Sequence, residues 1–104
     1  YIGSHAVREL ARAGYAPVTY DNLSEGHREA VKDGAWVNGD LANPRRLLEA
    51  LRRHRVKAAM HFAANCLVGE SVADPEKYYR NNVVHTFNLL AALKAAKVKA
   101  LVFS

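Results

Sequence analysis

Apolar and polar residues along this chain follow two different periods, and the switches between them mark out its elements. Over residues 3–13, Ala6, Val7, Leu10 and Ala11 recur at three- and four-residue spacing, which lays one apolar face along a helix. Gly14 predicts the end of that helix, because glycine takes the left-handed conformation just past a last helical turn. Pro17 to Tyr20 then reads as a strand closed by Asp21-Asn22. Ser24 to Gly26 is a loop, His27 to Lys32 a short helical turn, and Ala35 to Val37 a weak strand ahead of Gly39-Asp40. At Asn43-Pro44 a new helix is expected, since Asn can cap free amides and Pro suits the first helical position. Leu47, Leu48 and Leu51 form its buried stripe. Val56 to Phe62 is a nearly unbroken apolar run, a pattern that fits a parallel strand covered on both faces. Asp74-Pro75 opens a long helix reaching about Lys97, with Val83, Val84, Phe87, Leu90, Ala91 and Leu93 available for burial, and Ala100 to Phe103 is a final strand.

Strands alternating with helices predict an α/β fold, a doubly wound parallel sheet with right-handed crossovers. Ligands of such sheets sit beyond the carboxyl ends of the strands. That rule selects Asp21-Asn22, Gly39-Asp40, Phe62-Ala63-Ala64 and Ser104. The usual strand order of this architecture, 3-2-1-4-5, places the first strand in the middle. Here that strand would precede Tyr1, so the strands at 17–20 and 56–62 are expected to flank a missing neighbour. The chain also starts without Met and stops at Val102-Phe103-Ser104. Residues 1–104 are therefore expected to be an incomplete Rossmann-type domain, an excerpt of a longer protein.

Composition narrows the classes. Half of the 104 residues are apolar and 24% are charged, the ordinary balance of a globular protein. No apolar run approaches the roughly 18 residues that span a bilayer, so no membrane partner is expected. The single cysteine, Cys66, excludes an internal disulfide and a multi-Cys zinc site, and suits a reducing cytoplasm. It reads as a small packed side chain rather than a nucleophile, with no adjacent base to lower its pKa. A net charge of +5 permits an anionic partner, and nucleotide phosphates qualify as well as nucleic acid. The basic run Arg45, Arg46, Arg52, Arg53, Arg55, Lys57 lies opposite the leucines of its helix without interleaved aromatics, so it reads as a solvated face and no nucleic acid is expected. The five histidines form no HxxxH pair or carboxylate-flanked cluster, and no metal is expected.

Three places could carry ligand chemistry. Tyr1-Ile2-Gly3-Ser4-His5 opens into a helix whose free amides and partial positive charge can hold phosphate; Gly3 is equally a plain helix-start glycine. Asp21 can accept hydrogen bonds from both ribose hydroxyls of an adenosine and would repel a 2′-phosphate, yet Asp-Asn is also an ordinary turn dipeptide. Asp40 could reach the adenine, or merely cap the following helix.

Taken together, Tyr1-Ile2-Gly3-Ser4-His5, Asp21-Asn22-Leu23-Ser24-x-Gly26-His27, Gly39-Asp40, His61-Phe62-Ala63-Ala64, Val68-Gly69-Glu70-Ser71, Tyr78-Tyr79-x-Asn81-Asn82-Val83 and Val102-Phe103-Ser104 resemble the UDP-glucose 4-epimerases of the extended short-chain dehydrogenase/reductase family. The resemblance runs the length of the chain and implies NAD as cofactor and a UDP-sugar as substrate. It implies that Tyr1, Ile2 and Gly3 belong to the pyrophosphate turn, that Asp21 and Asn22 hold the adenosine ribose with Ser24 and Gly26 around it, and that Asp40 and Leu41 border the adenine. Phe62, Ala63 and Ala64 would line the path to the nicotinamide ribose, and Asn81 and Ser104 would touch the cofactor. In that family a Tyr and a Lys four residues apart and a Ser/Thr perform the chemistry. They would lie downstream of Ser104, so no catalytic residue is expected within this chain. A homodimer in the cytoplasm is expected of the intact protein. Cys66 stands where some epimerases carry a Lys, and His85 where a Gly is usual. Two neighbouring readings are an NAD-dependent nucleotide-sugar dehydratase and a non-catalytic NAD-binding regulator.

Overall fold

The structure, a computed structural model, describes residues 1–104. It consists of two compact units, Tyr1–Asp40 and Leu41–Ser104.

In the first unit, helix α1 (Ile2–Arg12) leads to strand β1 (Val18–Asp21), a 3-10 turn at Arg28–Ala30, and strand β2 (Ala35–Asn38). The strands pair in parallel, from Val18 opposite Ala35 to Asp21 opposite Asn38. α1 ends as expected at Gly14, whose φ is +87°. Gly14 N–H donates to Ala11 O and Tyr15 N–H to Leu10 O, both at 3.0 Å. This is the Schellman closure, which satisfies two carbonyls that the last turn would leave orphaned. Gly34 has a stricter task. At φ +79° it lets Ala35 N–H reach Pro17 O at 3.0 Å, and a Cβ there would sit 2.2 Å from that same carbonyl oxygen.

The second unit runs α2 (Pro44–Arg53), β3 (Ala58–His61), α3 (Val68–Ala73), α4 (Pro75–Tyr79), a π-helical segment (Arg80–Val84), α5 (His85–Ala95) and β4 (Ala100–Phe103). Asn43 caps α2 as its sequence predicts, its side chain accepting from Arg46 N–H at 3.1 Å. α2 packs on α5 and supplies Leu47 and Leu51 to the core, where Leu89, Ala92 and Leu93 of α5 are buried. β3 and β4 pair in parallel, from Ala58 opposite Ala100 to His61 opposite Phe103. Both pairs, β1 with β2 and β3 with β4, are parallel, as the alternation of strands and helices predicts. No helix is long and apolar enough to cross a membrane.

Three features differ from the sequence-based expectations. Strand β3 is shorter than 56–62, because Val56 closes the end of α2: its N–H donates to Leu51 O at 3.0 Å while Arg55 takes φ +51°. Exposure alternates along β3, with Ala58 and Met60 outward and Ala59 and His61 inward, so one face is covered rather than two. The long helix runs without interruption from Pro75 to Ala95, as expected, with the π segment inside it, but it buries a different face. Of the expected set only Leu93 is buried, while Val83, Val84, Phe87, Leu90 and Ala91 are exposed. α5 is apolar on almost every side, so periodicity alone could not choose which side would meet α2.

Candidate functional site

The carboxyl ends of β1 and β2 bring five of the candidate residues together. Asp21 Oδ1 accepts from Leu23 N–H at 2.7 Å, and Asn22 Oδ1 accepts from Ser24 N–H at 2.9 Å. These two consecutive side-chain turns let Leu23 adopt φ +61°. Asn22 Nδ2 reaches across to donate to Asp40 Oδ2 at 2.7 Å, which joins the end of β1 to the loop after β2. Gly26 passes beside the Asp21 carboxylate, and a Cβ on it would lie 3.8 Å from either oxygen. Asp21 Oδ2 has no protein partner, so the turn presents one free carboxylate oxygen beside a residue without a side chain.

Two further residues support this cluster from beneath. Tyr20 donates its hydroxyl to Asp40 O at 3.1 Å. Gly39 is buried beneath that ring; a Cβ there would lie 2.3 Å from Tyr20 Cζ. Gly39 N–H also donates to Asp21 O at 3.0 Å. In the sequence Gly39 was legible only as a strand-end glycine, and Tyr20 only as an apolar strand residue.

In the second unit, the loop after β3 carries Phe62, Ala63 and Ala64, with one backbone bond of its own, Ala64 N–H to Phe62 O at 3.0 Å. Asn82 in the π segment accepts from Asn65 N–H and donates to Asn65 O, both at 2.9 Å. Asn81 donates to Asn82 Oδ1, also at 2.9 Å. Behind Asn82, the Thr86 hydroxyl donates to Asn82 O at 2.8 Å and lies 3.1 Å from His61 Nε2. With its own proton engaged, the hydroxyl accepts from His61, whose Nε2 therefore carries the proton of that bond. His61 is buried with Phe103 edge-on at 5.2 Å, and that burial lowers its pKa from the ordinary histidine value. Ser104 N–H donates to His61 O at 3.2 Å, so Ser104 stands beside the start of the Phe62 loop. Leu41 is held by Asn88, which donates to its carbonyl at 2.9 Å.

α3 was not legible as a helix, because it exposes Val68 and Val72 and is held from outside. The Tyr78 hydroxyl accepts from Leu67 N–H at 3.1 Å and lies 2.7 Å from Glu70 Oε2. Lys77 Nζ is 2.6 Å from Glu70 Oε1. The Lys77 hydrogen bond, then that of Tyr78, lowers the Glu70 pKa; desolvation, then Glu70, raises that of Tyr78. Cys66, on the adjoining loop, is exposed rather than packed.

Tyr1, Ile2 and Gly3 form the first turn of α1 with no side-chain cap, and Ser4 Oγ donates back to Tyr1 O at 2.7 Å. No hydrogen bond joins them to the Asp21 turn.

A carboxylate turn at the carboxyl end of a parallel strand is a feature of nucleotide-binding α/β sheets. The family model described as "NAD dependent epimerase/dehydratase family" matches residues 1–104. The chain belongs to this family. A UDP-glucose 4-epimerase of Rhizobium meliloti is 54% identical over 104 residues, covering 100% of this chain and 32% of that protein. The crystal structure of the Brucella ovis UDP-glucose 4-epimerase in complex with NAD superposes with a TM-score of 0.97 at 50% identity, over 99% of this chain and 32% of that one. The Bifidobacterium longum enzyme, in complex with NAD+ and UDP, gives 0.92 at 29% identity over 100% of this chain and 33% of that one. The chain thus spans about a third of the length of these relatives.

Proposed function

We propose that residues 1–104 are a partial NAD-binding domain of an enzyme that interconverts UDP-glucose and UDP-galactose through a 4-keto sugar. The observation that carries this reading is the Asp21 turn, with one carboxylate oxygen already engaged by Leu23 N–H and the other free beside Gly26. That geometry suits a ribose diol, whose hydroxyls donate to a carboxylate, and the missing Cβ at Gly26 leaves room for the sugar. A 2′-phosphate would meet the carboxylate's charge, so NAD fits and NADP does not.

Asn22, Ser24 and Gly26 would shape this ribose subsite, and Asp40 and Leu41 would border the adenine. The first turn of α1, with Tyr1, Ile2 and Gly3, would meet the pyrophosphate with its free amides. Phe62, Ala63, Ala64, Asn81 and Ser104 would serve the nicotinamide end. NAD, when bound, would supply reversible hydride chemistry at the sugar C4. The residues of this chain bind and orient; the proton-transfer groups belong to the rest of the enzyme. We further place the enzyme in the cytoplasm, where the exposed Cys66 thiol stays reduced. A second copy of the chain would cover the apolar stripe of Val83, Phe87 and Leu90, of which Phe87 is 66% exposed.

The test is to incubate the full-length protein with UDP-glucose and no added cofactor. Formation of UDP-galactose, with NAD released on denaturation, is the expected result. A keto-deoxy product would identify a dehydratase instead, and NAD without turnover a binding protein.

A further inference from the structure

We propose that Asn82 is the positioning residue of the loop Phe62–Asn65, held in that role by Thr86 and His61; the inference rests on the reading of this loop as part of the NAD site. One carboxamide pairs with both backbone groups of Asn65, accepting from its N–H and donating to its C=O at 2.9 Å each. A neighbouring strand would offer a backbone the same donor–acceptor couple, so Asn82 extends the order of β3 into a loop with a single backbone bond of its own, Ala64 N–H to Phe62 O.

Asn82 is aimed by what lies behind it. Asn65 N–H can only donate and its C=O can only accept, which fixes which end of the Asn82 amide is oxygen, and Asn81 Nδ2 donates to that same Oδ1. Thr86 bonds the Asn82 carbonyl, and His61 donates to Thr86. His61 is also the last residue of β3, immediately before the loop. The loop is thus held at both ends by one chain of bonds, at His61 through Thr86 and at Asn65 through Asn82. The π segment gives this arrangement its geometry, since His85 N–H closes on Arg80 O rather than on the α-helical carbonyl.

The side-chain chemistry is exacting. Aspartate keeps the acceptor but turns a charged oxygen toward the Asn65 carbonyl; alanine removes both bonds. In the full-length protein, stripped of cofactor and titrated with NADH by its fluorescence, Asn82→Asp should bind about tenfold or more weakly, the effect of losing a polar pair and facing like partial charges. The melting temperature of the cofactor-free form should stay within a few degrees of wild type, as a loop contact requires. Thr86→Val should weaken NADH binding by a smaller factor, and Thr86→Ser should restore it. Asn82→Asp binding as tightly as wild type, or losing cofactor-free stability in step with affinity, overturns the proposal. Should Asn82→Asp not fold, Thr86→Val against Thr86→Ser decides, and equal affinity in those two overturns it. A wild type that binds no NADH overturns the NAD reading itself, and this proposal with it.

Discussion

The loops that follow β1 and β3 occupy equivalent places, each beyond the carboxyl end of a parallel strand, but they are held differently. After β1 the turn ties itself: Asp21 and Asn22 each accept from a backbone N–H two residues on. After β3 the loop is tied by Asn82, a residue 17 positions away, which itself depends on a π-helical turn. A locally tied turn follows from the residue types that make it, because Asp and Asn close such turns in any context. A remotely tied loop exists only once the second element has docked. The first kind should tolerate change elsewhere in its unit, provided the strands stay paired. The second should respond to substitutions that never touch the loop.

The strongest way to break the first region is through the pairing beneath it. Gly34→Ala would place a Cβ 2.2 Å from the Pro17 carbonyl at φ +79°, so backbone must move. A loss of roughly 2–4 kcal/mol, read from the denaturant midpoint, is expected. Gly14→Ala, at φ +87° but with nothing within 4 Å, should cost only about 1 kcal/mol, the left-handed penalty alone.

Next in size, Asp21→Ala should weaken NAD binding by about tenfold or more, since charge-assisted hydrogen bonds are worth roughly 1.5–3 kcal/mol. It should also narrow the gap between NAD and NADP. A wild type that binds both equally, measured by titration, would show that this turn does not select the ribose.

The second region can be sharpened by stabilising its frame. Arg55 at φ +51° and Lys97 at φ +60° close α2 and α5 with the hydrogen bonds that Gly14 uses for α1. Each bears the left-handed penalty that glycine avoids, so Arg55→Gly and Lys97→Gly should each raise stability by about 0.5–1 kcal/mol in chemical unfolding.

The smallest effect is titration of His61. Its folded pKa lies below 6.5, from burial, so between that folded value and 6.5 the unfolded chain holds a proton that the folded chain does not. Stability from this group is complete above pH 6.5 and falls as pH drops through that window. Melting curves of wild type against His61→Gln should diverge on acidification, with the variant less sensitive; parallel curves would mean that folding does not change the affinity of His61 for its proton.

Much of the frame was legible in the sequence, because it rests on short-range rules. Gly14 ended α1, Asn43-Pro44 began α2, and the parallel pairing followed from the alternation of elements. The Asp21, Asn22 and Asp40 cluster was legible because turn-forming carboxylates and amides stood at predicted strand ends. What was illegible depended on partners far along the chain. The buried face of α5 could not be read from a helix that is apolar nearly all round. α3 could not be read from a stretch whose support comes from Tyr78. Arg55 and Lys97 carry no glycine to advertise a left-handed helix end; buried Leu51 and Leu93, whose carbonyls accept from Val56 and Val98, stand behind those closures.

Residue order along the chain sufficed for which segments are helix and strand, and for which turn offers a carboxylate, because those follow from backbone geometry within a few residues. The join of Asn82 to Asn65 and the pairing of His61 with Thr86 were decided only by packing. Each of them satisfies a polar group whose partner is distant in sequence, and no local rule specifies which distant group will arrive.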